Sequence, residues 1–232
     1  MNDLSPTVLL AEHAYRQIKK LVLSGEMGAD TVIREAELAR QIGVSRTPVR
    51  EALNRLHAEK LLELSPSGGY LVVQFTAEDL EEIYALRAAL EGLAANLAAR
   101  KMNRIAAAVL QDQLDAMEAA VKSRDDAKLV ELNSKFHSAI AGTSGNKLLQ
   151  TMLVSIQDIF ERYRMPAIAD ESRRFASYME HREIVEALIE RDSDLAEQRI
   201  KRHVQKALEM RRRAQAQEKA KDAKPRRASA KR

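Results

Sequence analysis

Residues 42–56 read "IGVSRTPVREALNRL". Val49, Ala52, Leu53 and Leu56 recur at i, i+3, i+4 and i+7, the spacing of one apolar helix face. Pro48 lies near the start of that helix. The first turn has backbone N–H groups without intrahelical partners, so a proline there removes no helix hydrogen bond. Ser45, just ahead, can cap the helix. Arg46, Thr47, Arg50 and Asn54 fall on the opposite, outward side. Two guanidiniums, a hydroxyl and an amide at an exposed helix start can meet phosphate oxygens and base edges at a major groove. The same residues would also make an ordinary solvated face, so the flanking sequence has to decide.

Upstream, residues 35–42 make a short helix with Leu38, Ala39 and Ile42 on one face. Gly43 stands just past its end, where a left-handed residue is commonly needed. Two short helices joined by a Gly-containing turn, with small Ala39 at the crossing, form the helix-turn-helix pattern. Residues 8–24 add an earlier helix with Leu10, Ala14, Ile18, Leu21 and Val22 at helical spacing, ended by Gly25 and Gly28. Downstream, "LLEL", "SPSGG" and "YLVV" read as strand, loop and strand, a small hairpin. Gly68 and Gly69 would let its backbone approach a groove closely. The expected unit is a winged helix-turn-helix over residues 8–75.

These residues resemble a known family. "REAELARQIGVSRTPVREALNRLHAEKLLEL…GGYLVV" is similar to the winged helix-turn-helix of GntR-type bacterial transcription regulators, over about residues 8–73. The resemblance implies that Arg46, Thr47 and Arg50 contact operator DNA. Some members also use an arginine just before the second helix's "EL"; here Ala36 stands there, and Arg34, two residues earlier, is the candidate for that role.

Beyond the hairpin the pattern changes. Thr76 and Asp79 have the spacing of a helix N-cap and its N3 partner. Six helices, or seven, are expected, near 77–101, 104–122, 126–141, 146–164, 172–191 and 194–212. The breaks "KMN", "SRDD", "GTSGN", "MPAIAD" and "RDSD" are rich in caps and breakers. The fold class is therefore mainly α: a winged helix-turn-helix, then an all-α bundle over residues 76–210.

Composition agrees. The chain has 232 residues, 45% hydrophobic and only 4% aromatic, with no tryptophan. That balance favours helices, since strands draw on aromatic and β-branched residues. There is no cysteine, which excludes disulfides and thiolate metal sites. No stretch approaches a membrane span and no signal peptide is evident, so a cytoplasmic protein is expected. The net charge is +4, unevenly spread. Residues 211–232 hold ten Lys or Arg against two acids, so the rest of the chain is net negative. That tail reads as a basic, flexible extension, or as one with weak, sequence-independent attraction to a polyanion.

The remaining chemistry is histidine, of which there are five. His13 and His57 have no partner pattern and read as structural or surface residues. The other three differ. Asn133 and His137, four residues apart, lie beside the stripe Leu129, Leu132, Phe136 and Ile140. His181 aligns with Ile184, Val185 and Leu188. His203 aligns with Ile200, Ala207 and Leu208. Each is either a satisfied core histidine or one of three imidazoles converging from separate helices, an arrangement that suits zinc or another transition metal. Arg87 falls between Ile83, Leu90 and Ala94 on an inner face, either in a buried ion pair with Glu91 or a neighbouring helix, or facing a cavity.

"LNSKFHSAIAGTSGNKLL", His181 in "EHREIVEAL", His203 and "YALRAALEGLAA" resemble the ligand-binding FCD domain of the FadR subfamily, over about residues 79–208. The resemblance implies an all-helical, dimeric, effector-binding domain. It maps a divalent metal, zinc, nickel or similar, to Asn133, His137, His181 and His203, and places Arg87 at the effector cavity. Asn133 departs from the commoner aspartate. A neutral amide leaves the ion's full charge and favours an anionic effector, expected to be a small carboxylate. The expected function is an effector-responsive transcription regulator, a repressor, binding a pseudo-palindromic operator as a homodimer, with no enzymatic activity and no membrane partner. The alternatives are a metal-independent effector-binding regulator, a nucleoid-associated architectural protein and a metal hydrolase. No dedicated general base stands beside the histidines in the sequence, and a hydrolase would leave the winged motif unexplained.

Overall fold

The structure is a computed structural model and describes residues 6–24, 26–28, 31–168 and 171–222. It divides into two compact units between Thr76 and Ala77.

The first unit contains α1 (Pro6–Ser24), α2 (Glu35–Ile42), α3 (Arg46–Ala58), β1 (Leu62–Leu64) and β2 (Tyr70–Val72). Both α1 and α2 pack on α3. Ala14, Ile18 and Val22 of α1, Leu38 and Ala39 of α2, and Val49, Ala52, Leu53 and Leu56 of α3 are buried together. Leu10, expected on the inward stripe of α1, is instead 46% exposed. Gly43 closes α2 in the left-handed region, φ 79°, and its N–H bonds the Ala39 carbonyl. Ser45 stands at the N-cap of α3 with extended backbone, but its hydroxyl makes no cap bond. The cap expected from its side chain is thus replaced by backbone geometry alone, while Pro48 in the first turn has its φ fixed by its ring.

β1 and β2 pair antiparallel, Leu62 with Val72 and Leu64 with Tyr70. Ile33, ahead of α2, bridges Tyr70 with backbone bonds of 2.7 and 3.0 Å, adding a third edge to the wing. Gly69 sits at φ 88°, and a Cβ there would fall 2.6 Å from the Ile33 carbonyl oxygen. A side chain is therefore barred at Gly69 by the wing's own backbone, apart from any approach to DNA. Gly68, φ 82°, has open space around it.

The second unit contains α4 (Ala77–Lys101), α5 (Arg104–Ser123), α6 (Asp126–Ser144), α7 (Lys147–Ile168), α8 (Glu171–Ile189) and α9 (Ser193–Asp222). Its axis is α4, which packs chiefly on α9 and α6. Ala94, Ala95, Ala98 and Ala99 are buried on it, and their small side chains let neighbouring backbones come close. Around them Leu110, Leu114, Met117, Leu132, Phe136, Ile140, Ile184, Leu188 and Ile200 form one core. Asn103 caps α5 by accepting from the Ile105 and Ala106 N–H groups, both at 3.0 Å. Asp125 caps α6 by accepting from the Lys128 N–H.

The largest departures from the expected bounds fall at two helix ends. α7 runs through Pro166 to Ile168, and α9 runs on to Asp222 rather than stopping near residue 212. Residues 211–222, expected as the start of a flexible tail, are thus helical. They are mostly Ala, Arg, Gln, Glu and Lys, all good helix formers. Arg211 is 8% exposed and Arg212 pairs with Glu81 of α4 at 2.6 Å. The rest of the expected tail, 223–232, lies outside the described residues. Among the described residues no helix is long and apolar enough to cross a membrane.

Candidate DNA-recognition face and histidine centre

On the first unit, Arg46, Thr47, Arg50 and Asn54 are all exposed on one side of α3, and Val49, Ala52, Leu53 and Leu56 are buried on the other. Two of the four are held from outside α3. Arg50 donates from Nε and Nη2 to both carboxylate oxygens of Glu35, at 3.0–3.1 Å. Asn54 Oδ1 accepts from the Tyr70 hydroxyl of the wing at 2.7 Å, which leaves the Asn54 NH2 group as the outward donor. Arg34 is exposed at the N-cap of α2, next in the chain to Glu35, and makes no cap bond. Ser45 and Arg46 line a shallow concavity together with Arg40 of α2. Arg40, a further exposed cation, was missed in the sequence because nothing in its spacing separates it from a solvated residue. His13 is exposed, and His57 Nδ1 lies 2.9 Å from the Leu62 carbonyl oxygen, a local structural contact.

On the second unit, α6, α8 and α9 turn His137, His181 and His203 toward one another. One ring nitrogen from each lies within 4.8 Å of the other two. Ring centroids are 4.5 Å apart for His181 and His203, and 5.4 Å for His137 and His203. Phe136 backs the His181 ring at 4.5 Å. Burial pushes the His137 imidazole down to about 4, although Glu91 pulls the other way. Burial also lowers His203, against the pull of Glu180. Both rings are therefore neutral at pH 7, the form that ligates metals.

The surrounding carboxylates orient the cluster. Glu180 Oε2 lies 2.7 Å from His203 Nδ1, which leaves Nε2 for a ligand in the manner of a carboxylate behind a metal-bound imidazole. Arg173 holds both Glu180 oxygens at 2.8 and 3.2 Å, and Lys206 adds a bond of 3.1 Å. Burial would raise Glu180, but His203 and Arg173 outweigh it and bring it down to about 2. Glu91 Oε2 lies 2.8 Å from His137 Nδ1, and Glu91 Oε1 takes the Arg87 Nε–H at 2.5 Å. The buried Nε2 of His137 has no hydrogen-bond partner. Three converging imidazoles, one oriented by a carboxylate and one with an orphaned nitrogen, fit a divalent transition metal.

Two cavities flank the cluster. One, of about 80 Å³, is lined by Asn133, His181, His203, Tyr84, Arg87 and Arg173 among others. The other, of about 220 Å³, is lined by Arg87, Glu91, His137, Gln150, Leu153 and Gln157 among others. Arg87 lines both, so the ion pair with Glu91 and the cavity position, posed as alternatives in the sequence, occur together. Glu180 was not legible, because it meets His203 only through the packing of α8 on α9, and Arg173 acts on the cluster only through Glu180.

An exposed cationic helix in a winged helix-turn-helix, joined to an all-α domain with an inward histidine cluster, defines a DNA-binding transcription regulator. Residues 10–72 match the gntR family of bacterial regulatory proteins, and residues 82–206 match the FCD domain. The chain belongs to the GntR family, with a C-terminal FCD domain, and is a DNA-binding transcription regulator rather than an enzyme. It is 31% identical over 190 residues to the uncharacterized HTH-type transcriptional regulator YdhC of Bacillus subtilis, covering 82% of this chain and 85% of that one. It is 30% identical to a probable D-xylose utilization operon transcriptional repressor of Paenarthrobacter nicotinovorans, covering 79% and 80%. The fold is similar to that of E. coli McbR/YncC, with a TM-score of 0.77 at 22% identity over 88% of this chain and 97% of that one.

Proposed function

We infer that the protein is a cytoplasmic repressor that binds a pseudo-palindromic operator as a homodimer and responds to a small carboxylate at the histidine centre. The observation that carries this reading is the convergence of His137, His181 and His203, with Asn133 and Arg87 lining the same cavity as two of them. His137, His181 and His203, with the Asn133 amide oxygen, would hold a divalent ion such as zinc or nickel. When bound, that ion supplies a positive post for a carboxylate oxygen. Arg87, fixed by Glu91, offers its planar fork to the same acid. Arg46, Thr47 and Arg50 of α3 contact the operator, with Asn54, Ser45, Arg34, Gly68 and Gly69 around them.

A two-fold dimer doubles the few base pairs that one α3 can read. A surface on α4 suits it. Leu86 is 51% and Leu93 45% exposed, seven residues apart on one stripe with Ala89. Glu82 precedes that stripe and Arg100 ends it, so two antiparallel copies set each acid against the other's base. Effector binding changes DNA affinity only if the acid prefers one state of the protein. α4 carries Arg87 and is the first element after the wing in the chain, so it is the element expected to transmit that preference.

A metal-independent reading is favoured by one observation, the neutral amide at Asn133. The same experiment decides between the two. Protein stripped with a chelator and dialysed is titrated calorimetrically with a panel of small mono- and dicarboxylates, with and without zinc or nickel restored. Metal removal, or His181→Ala, should weaken binding of the responsive acid and blunt its effect on DNA, while the protein still binds DNA. Unchanged affinity and stoichiometry in metal-free protein would leave Arg87 and the histidines as direct partners of the acid.

A further inference from the structure

Glu35 puts a carboxylate on the side of the molecule that faces a polyanion. The side chain is 25% exposed and its partner Arg50 is 58% exposed. An exposed ion pair contributes little to stability, and a negative charge beside phosphates weakens binding. Helix-dipole stabilisation does not require it either, since Glu37 also lies in the first turn of α2.

The geometry gives another reason. A guanidinium has five N–H donors in a fixed plane. Glu35 takes the Nε–H and one Nη2–H, the side edge of the fork. The end edge, one N–H from each Nη, then points away from Glu35. Two parallel N–H groups on that edge match O6 and N7 of guanine. A free arginine samples many rotamers and can turn any edge toward any phosphate. An arginine gripped along its side presents one edge in one direction. The Tyr70 hydroxyl holds Asn54 on the same helix face in a comparable way.

We propose that Glu35 is a positioning residue for sequence discrimination: it orients Arg50 so that the fork reads a guanine, and it lowers affinity for DNA that offers only phosphates. This rests on the reading that Arg50 contacts a base. Removing the carboxylate therefore has two opposite effects. Binding to unselected DNA strengthens, and preference at the base pair read by Arg50 weakens. A residue that merely supports α2 would lower binding to every sequence alike.

The test uses the full-length protein and a random double-stranded DNA pool. Wild type, Arg50→Ala, Glu35→Gln, Glu35→Ala and Glu37→Gln are each carried through selection, and the base preferences recovered are compared. Affinity for the wild-type consensus and for a scrambled duplex is then measured over a range of salt. Arg50→Ala identifies the base pair that Arg50 reads. Both Glu35 variants should lose about tenfold of the preference at that base pair and bind the scrambled duplex severalfold more tightly, and Glu37→Gln should do neither. If Arg50→Ala weakens binding equally for all sequences, Arg50 is a phosphate contact, and the reading and the inference fall together. If Arg50→Ala erases one preference that both Glu35 variants keep, only the inference falls. A uniform loss in folded Glu35 variants overturns it as well.

Discussion

The two units place their basic side chains in opposite environments. On the first, Arg46 and Arg50 stand in solvent over an apolar helix face that is fully buried. On the second, Arg87, His181 and His203 are at most 6% exposed, deep in a helical core. A solvated guanidinium costs nothing to keep charged, so the first unit needs only one carboxylate to hold Arg50 and one hydroxyl to hold Asn54. A buried one must be paired or neutral. The second unit uses both solutions, pairing Arg87 with Glu91 and keeping His137 and His203 neutral. The first face can meet a large anion that arrives from outside, and the second has room for a small group enclosed by the fold.

Substitution at the centre of each site should break the contrast most visibly in stability. Phe136 is fully buried and packs on the His181 ring. Phe136→Ala should cost about 3–5 kcal/mol of unfolding free energy, by lost transfer and an unfilled cavity. Arg46→Ala, on the exposed face, should stay within about 0.5 kcal/mol. Urea denaturation of both variants checks this. A Phe136→Ala change of less than about 1 kcal/mol would mean that the histidine cluster is not set in a close-packed core.

A smaller effect sharpens the chemistry of the buried site. Asn133 lines the cavity with His181 and His203. If the histidines hold an ion, Asn133→Asp adds a negative charge beside it, so it should tighten zinc or nickel and weaken a bound carboxylate, each on the order of tenfold. Competition against a chelator measures the first and calorimetry with the responsive acid the second. If neither moves, Asn133 is a wall of the cavity and not a ligand.

The contrast also explains what was legible in the sequence. Helix bounds and the α3 face follow from local periodicity, so Val49, Ala52, Leu53 and Leu56 inward and Arg46, Thr47, Arg50 and Asn54 outward could be read directly. The three histidines were legible as inward-facing, since each aligns with its own helix's apolar stripe. Their convergence came only from the family resemblance, because periodicity says nothing of how α6, α8 and α9 pack. Glu180 behind His203, 23 residues away, and Glu35 beside Arg50, 15 residues away, are tertiary contacts with no periodic signal. Residues 211–222 were misread because a high charge density looked like a tail, while Arg212 in fact pairs with Glu81 on α4.

That correction decides how the basic C-terminus can be tested, and here the expected effect on sequence preference is the smallest. A truncation beginning at residue 211 would cut α9 where it packs on α4 and confuse folding with binding. Deleting residues 223–232 leaves the helix whole and removes Lys224, Arg226, Arg227, Lys231 and Arg232 with no acid among them. Phosphate contacts carry no direct sequence information, and each one adds about −0.9 to the slope of log affinity against log salt. The deletion should therefore make that slope shallower and weaken binding to all DNA together, while the ratio between the selected consensus and a scrambled duplex stays within about twofold. Fluorescence anisotropy on both duplexes across a salt series measures slope and ratio in one experiment. A deletion that abolished the ratio while sparing the scrambled duplex would give the C-terminus a part in reading sequence, and discrimination would no longer belong to the α3 face and the wing alone.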